Sequence, residues 1–194
     1  MNSIASKIVF LVALVALLFI SAARAVEFDQ IQADKSAMSF VFKQMNVPVE
    51  GVIKNFKSQI SFDPAKPALA KAEVEVAVAS IDAGSDEAND SIVNTLWFNA
   101  KAFPVVRFVS TSIKALGNNR FEVAGKMSIK GRTRDTKTLG TFHQEGGNGI
   151  LEGSFVLNRG DYGIGEGLWA DFGTVANAVQ IKFRLVAQAA AIKK

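Results

Sequence analysis

The chain has 194 residues, of which 49% are hydrophobic, with 22 basic and 18 acidic side chains, a single histidine and no cysteine. Without cysteine there is no disulfide framework, no thiolate nucleophile and no cysteine-ligated metal, and the lone His143 rules out a multi-histidine metal site. A net charge of +4 with no clustered basic face is not a nucleic-acid-binding signature.

At the start of the chain, Lys7 precedes an unbroken apolar run from Ile8 to Ile20, and small residues follow up to Ala23-Arg24-Ala25. This is the pattern of a secretory signal peptide cleaved between Ala25 and Val26, which sends the protein to the periplasm. The apolar run is shorter than the roughly 20 residues that a membrane span requires. No cysteine follows it to carry the acyl chains of a lipoprotein. Cleavage removes Lys7 and Arg24 and leaves 20 basic against 18 acidic residues. Residues 26–194 contain no linker, low-complexity tract or internal repeat and read as one domain.

Alternation with a period of two dominates that domain. Met38, Phe40 and Phe42 share one side of a first strand, and Ile60 and Phe62 end a second at Asp63-Pro64. Val74, Val76 and Val78 alternate with Glu73, Glu75 and Ala77. Ser85 then stands as an N-cap before Asp86 and Glu87, and Ile92, Val93 and Leu96 recur at helical spacing, so a helix is expected over 86–96. After Pro104 come Val106 and Phe108, then Phe121, Val123, Met127 and Ile129, with Lys130-Gly131-Arg132-Thr133-Arg134 as a basic hairpin tip. Phe155 and Leu157 share a face, as do Val179, Ile181, Phe183 and Leu185. Between them, Gly160, Gly163, Gly165, Gly167 and Gly173 predict a loop with unusual backbone angles that carries Tyr162 and Trp169. The sum is a mainly antiparallel β protein of about eight strands with one helix between strands. The pattern alone leaves a closed barrel and a two-sheet sandwich both open.

Polar candidates have plain explanations. Asp82, Asp86, Glu87 and Asp90 suit the start of a helix, and His143, with Glu145 and Asp135 in reach along the sequence, reads as an exposed residue at a strand end. Arg159 and Asp161 are expected to tie the glycine-rich loop to the barrel as a charge-assisted pair. No catalytic residue and no metal ligand set is assigned.

Phe40-Val41-Phe42-Lys43 leads through Val49, Gly51 and Phe56 to Phe62-Asp63-Pro64. Ser80-Ile81-Asp82-Ala83-Gly84 precedes the helix, which is followed by Trp97-Phe98-Asn99-Ala100-Lys101-Ala102-Phe103-Pro104-Val105-Val106-Arg107-Phe108, and Asn158-Arg159-Gly160-Asp161-Tyr162-Gly163 comes last. In this order and spacing the three stretches resemble the YceI family of bacterial exported proteins. The resemblance implies an extended lipocalin-like barrel that holds a polyisoprenoid or other long-chain amphiphile, with a quinone-like lipid among the options, and has no enzymatic activity or catalytic cofactor. It also brings a membrane b-type cytochrome into view as a protein partner and leaves a homodimer open. The helix carries Ser91 and Val93 where many members have His and Arg.

An isoprenoid tail needs an apolar, well-shaped wall. Phe40, Phe42, Phe62, Val76, Val78 and Phe108 supply one part of it, and Met127, Phe155, Leu157, Ile181 and Phe183 the rest. A barrel face of this kind lines core and tunnel alike. Trp97, Phe98 and Phe103 flank the helix and either cap the tunnel mouth or pack the helix onto the barrel. Tyr162 and Trp169 face either a ligand or water.

Overall fold

The structure is a computed structural model that describes residues 26–190. The expected signal peptide, through Ala25, and residues 191–194 lie outside the described residues.

The strands are β1 (Phe28–Ile31), β2 (Ala37–Gln44), β3 (Val47–Ile53), β4 (Phe56–Ser61), β5 (Lys71–Ala77) and β6 (Ile81–Asp82), then helix α1 (Asp86–Val93), then β7 (Val105–Gly117), β8 (Arg120–Ile129), β9 (Arg132–Glu145), β10 (Asn148–Asn158) and β11 (Ala178–Ala189). They form an 11-stranded sheet in the order β4-β5-β7-β8-β9-β10-β11-β2-β3-β6, with β1 paired to β11 off that path. Every pairing is antiparallel. β11 forks: Gln180 to Arg184 pair with β2, and Ala187 to Ala189 pair with β1. β1 then reaches the far edge of the sheet, where Phe28 and Phe62 exchange backbone hydrogen bonds of 2.9 and 3.1 Å just past β4. This bridge draws the two sides of the curled sheet together into a lipocalin-like barrel.

Register follows the sequence alternation. Along β7, Val106, Phe108 and Ser110 turn inward while Arg107, Val109 and Thr111 face water. The outer face carries cross-strand ion pairs: Arg107 with Glu73 at 2.5 Å, Lys126 with Asp135 at 2.9 Å and Arg184 with Glu152 at 3.1 Å. Each is exposed and contributes at most about 1 kcal/mol, so their value lies in favouring one register. The β8–β9 turn has Lys130 and Gly131 at φ 49° and 75°, and the β7–β8 turn has Asn118 and Asn119 at 50° and 56°, the left-handed pairs that two-residue hairpins require.

The fold departs from the sequence expectation in detail. Among the described residues there are eleven strands rather than about eight, because β1 and β6 are too short to show alternation and β9 is almost wholly polar. Ser85 caps α1 as expected, its Oγ accepting the Ala88 N–H at 3.3 Å. The helix ends at Val93 rather than Leu96, because the Asn94 side chain accepts the N–H groups of Leu96 and Trp97 at 3.0 and 3.2 Å and diverts the chain into a turn.

One end of the barrel is sealed. Phe28, Ile60, Phe62, Ile113, Phe121, Phe142, Leu185 and Ala187 form a packed floor, with Phe62 edge-on to Phe121 at a centroid distance of 5.1 Å and tilted on Phe142 at 5.0 Å.

Candidate functional site

Above this floor the barrel is hollow. A cavity of about 560 Å³ runs from Phe62, Phe121 and Leu185 up to α1 and the glycine-rich loop. Its volume falls within the roughly 300–1,000 Å³ of small-molecule sites. The middle of the wall is apolar: Phe40 and Phe42 from β2, Val74 and Val76 from β5, Val106 and Phe108 from β7, Met127 from β8, Phe155 and Leu157 from β10, Ile181 and Phe183 from β11.

Glycines keep this lumen open. Phe40 lies over Gly51, its partner on β3, and Phe183 over Gly153, its partner on β10, while Phe108 covers Gly125 diagonally on β8. A methyl group at any of these glycines would collide with the ring. Each ring therefore rests flat against the neighbouring strand instead of projecting across the barrel.

Polar groups gather toward the mouth: Ser85, Glu87 and Ser91 of the α1 region, Gln44 at the end of β2, and Arg159. Trp97 and Trp169 meet there with ring centroids 5.6 Å apart. Farther down, β9 adds Thr136 and Thr138 from its inward face.

Arg159 organises the loop. Its side chain is 2% exposed, and all five of its N–H donors meet backbone carbonyls. Nε donates to Ala176 O (3.2 Å), Nη1 to Ile164 O (2.7 Å) and Gly165 O (3.1 Å), and Nη2 to Trp169 O and Val175 O (both 2.7 Å). The guanidinium lies 4.9 Å from the Phe172 ring centroid and 5.7 Å from that of Trp97. Burial pushes its pKa below the ordinary value, and the nearby Asp171 carboxylate counters the shift. The expected Arg159–Asp161 pair is replaced by these carbonyl bonds, because a tightly turned loop with Gly163, Gly165 and Gly167 at φ between 63° and 76° points its carbonyls inward. The basic hairpin tip fastens the same loop from outside. Lys130 donates to Gly163 O at 2.7 Å and to Glu166 at 3.0 Å, and Arg132 approaches Glu166 at 3.5 Å. The hydrogen bond and charge of Lys130, with that of Arg132, hold the Glu166 carboxyl below the usual carboxylate range.

Phe40, Phe42, Phe62, Val76, Trp97, Phe98, Phe108, Met127, Phe155, Leu157, Trp169, Ile181 and Phe183 all line the cavity. Val78, Phe103 and Tyr162 do not. Period-two alternation stops at Ala77, where β5 ends, and Val78 enters a 3-10 turn with its N–H on Pro104 O (2.9 Å), buried against Phe40, Ala83 and Ile92. Phe103 follows a turn closed by its own N–H on Asn99 O, and its ring lies beside Gly131 of the hairpin tip. Tyr162 ends the 3-10 turn Arg159–Tyr162 and packs with Met127, Ile129 and Ile164. Burial raises its pKa, and a hydrogen bond with Thr136 opposes that rise. His143 is exposed on the outer face of β9 opposite Ile150, away from the cavity. Arg159 as a cavity residue, Gln44, Thr136 and Thr138 were missed. The threonines were legible in the inward period of β9, while the carbonyl ring around Arg159 has no signal in the sequence.

A barrel sealed at one end, hollow above and apolar along its wall is a lipocalin-like barrel with room for a ligand. The model of the YceI-like domain matches residues 30–187, and the chain belongs to the YceI family. A UPF0312 protein of Pseudomonas putida is 30% identical over 122 residues, which is 60% of this chain and 64% of that protein, so the match spans just under two thirds of the relative. The crystal structure of Burkholderia cenocepacia BcnA is 41% identical and superposes with a TM-score of 0.80, covering 82% of this chain and 100% of that one. A polyisoprenoid binding domain from Saccharophagus degradans, implicated in plant cell wall breakdown, shares the fold at 14% identity, with a TM-score of 0.66 over 86% of this chain and 99% of that one.

Proposed function

We propose that the protein is a periplasmic lipid-binding protein that sequesters or carries a polyisoprenoid or similar long-chain amphiphile. The observation that carries this reading is the cavity, whose wall from Phe62 to Phe42 is mostly apolar, with Thr136, Thr138, Thr141 and Glu152 on its β9–β10 side and Glu87 and Arg159 near the mouth. The polyisoprenoid-binding neighbour of the same fold adds support, and the apolar leader at Ile8 to Ile20 supports export.

The mechanism is desolvation. Each methylene moved from water to the wall contributes about 0.8 kcal/mol. A tail of some forty carbons would release roughly 30 kcal/mol in full, beyond the ceiling of about 18–21 kcal/mol for real complexes, so partial burial gives tight binding. The tail enters between α1 and the glycine-rich loop, and its polar head stays with Ser85, Ser91, Gln44 and Glu87. The cargo is held and not transformed. The alternative, an accessory module of a membrane cytochrome docking through the basic hairpin, competes with existing contacts, since Glu166 already engages Lys130 and Arg132.

Phe42→Asp and Val76→Asp put a carboxylate on the wall. In variants that keep the native far-UV spectrum, uptake of a long-chain polyprenol is expected to fall at least tenfold. Unchanged uptake by a folded variant would remove these residues from the site.

A further inference from the structure

The mouth is ringed by exposed apolar side chains. Leu168 is 92% exposed, Met45 74% and Val47 62%, and Leu96 and Phe172 join them. Each is tied to the opening. Leu168 precedes Trp169 and Leu96 precedes Trp97, both cavity residues, and the Leu96 carbonyl accepts the N–H groups of Gly165 and Glu166. Phe172 lies over Arg159. Met45 sits at the tip of the β2–β3 hairpin, its N–H on Thr174 O at 2.8 Å, beside the bridge between Gln44 and Val175, which also line the cavity.

Met45 is also conformationally out of place. It occupies the left-handed region at φ 48°, the first central position of a two-residue turn that ordinarily takes Asn, Asp or Gly. A large apolar residue, strained and exposed at once, opposes both local propensity and solubility, a conflict characteristic of functional positions. The opposite pole has polar turns, Asn118-Asn119 and Gly146-Gly147, over the aromatic floor, and its exposed Leu69 and Leu116 neither line the cavity nor adjoin a residue that does.

We propose that this rim docks the barrel, mouth down, on a lipid bilayer, so that the cargo passes between membrane and cavity without crossing water. The inference rests on the lipid-binding reading of the cavity. Continuity chooses the occupant: the exposed Leu96 and Leu168 adjoin Trp97 and Trp169, which line the cavity beside the polar groups of the mouth, so a tail leaving a bilayer on that side passes onto the apolar wall with little of its length in solvent. Charge chooses the kind of bilayer. Lys130 and Arg132 are engaged by Glu166, Arg134 stands beside Asp161, and Asp86, Glu87 and Asp90 at the start of α1 offset Lys43, so the rim offers no excess of positive charge to anionic lipid. Docking depends on apolar insertion and is insensitive to salt.

The chain has no cysteine, so Leu168→Cys labelled with an environment-sensitive dye reports on the rim, and Glu145→Cys at the other pole serves as control. On adding phosphatidylcholine vesicles, the label at 168 is expected to shift to the blue with at least a twofold rise in intensity, alike in about 0.1 and about 1 M NaCl, while the label at 145 does not respond. Adding Met45→Asp to the labelled Leu168→Cys protein should raise the vesicle concentration for half-response at least tenfold. No response at 168, an equal response at 145, loss of the response in high salt, or a response produced without vesicles by raising protein concentration would each overturn docking on a bilayer, the last naming a second copy instead. Uptake of a polyprenol dispersed from ethanol tests the cavity by itself. Uptake without the vesicle response defeats docking alone, and the vesicle response without uptake defeats the lipid reading of the cavity alone.

Discussion

At one pole Phe28, Phe62, Phe121 and Phe142 interlock with ring centroids 5.0 to 5.2 Å apart, beneath a backbone bridge between Phe28 and Phe62. At the other, Trp97 and Trp169 meet over an opening, and the chain around them is held by Arg159 and Lys130 rather than by strand pairing. Both poles draw on inward aromatic residues, and glycines receive rings in the floor and in the wall. In the floor, Gly149 lets Phe28 and Phe142 from different strands close on each other, whereas in the wall Gly51, Gly125 and Gly153 each take one ring flat. The difference between a filled core and a hollow one therefore lies in where each ring rests, not in how hydrophobic the strands are.

The largest expected effect separates floor from wall. Phe28→Ala removes a ring that is 1% exposed and wedged against Phe142, and is expected to cost about 3–5 kcal/mol in urea denaturation. Phe108→Ala removes a ring with one face toward the cavity and is expected to cost roughly 1–2 kcal/mol. Equal costs would mean that the wall is as tightly packed as the floor.

Next comes the fastening of the mouth. Arg159→Lys keeps the charge but offers three donors in place of five, leaving loop carbonyls unpaired at a cost of about 2–4 kcal/mol. Limited proteolysis is expected to cut first between Gly163 and Gly173 in this variant, with the floor intact. Cleavage no faster than in the wild type would mean that the loop holds itself.

The smallest effect is electrostatic and also belongs to the mouth. Lys54, the Gly84 N–H and Asn89 hold the Asp82 carboxyl at about 2, below its ordinary 3.8. A depressed carboxyl stabilises the fold above its unfolded value and loses that contribution as pH falls through the folded one. Asp82→Asn is thus expected to be less stable than wild type at pH 7, the gap narrowing below about pH 4 and closing near pH 2, followed by denaturation at each pH. A gap independent of pH would assign the loss to packing.

Much of this was legible in the sequence where a physical rule is local. The period-two faces of β2, β5, β7, β8 and β11, the Ser85 cap and the glycine-rich loop followed from alternation, capping and backbone freedom. Most of the expected wall residues line the cavity for the same reason. What failed was non-local. Val78 was assigned by extending an alternation that a hydrogen bond to Pro104 cuts short, and Tyr162, expected to face either a ligand or water, is instead buried against Met127, Ile129 and Ile164. The bridge that closes the barrel joins residues 28 and 62, and the Arg159 donors find carbonyls up to 17 positions away. Whether an aromatic residue fills or lines the barrel depended on a glycine across the strand pair, which alternation in one strand cannot reveal.

The most direct test of the central claim is native mass spectrometry of the protein isolated gently from the cells that make it, with solvent extraction of whatever it carries. A stoichiometric long-chain lipid that is lost from the Val76→Asp variant is the expected result. A bare protein mass, together with no uptake of added polyprenol, would contradict the claim and leave the hollow barrel without a cargo.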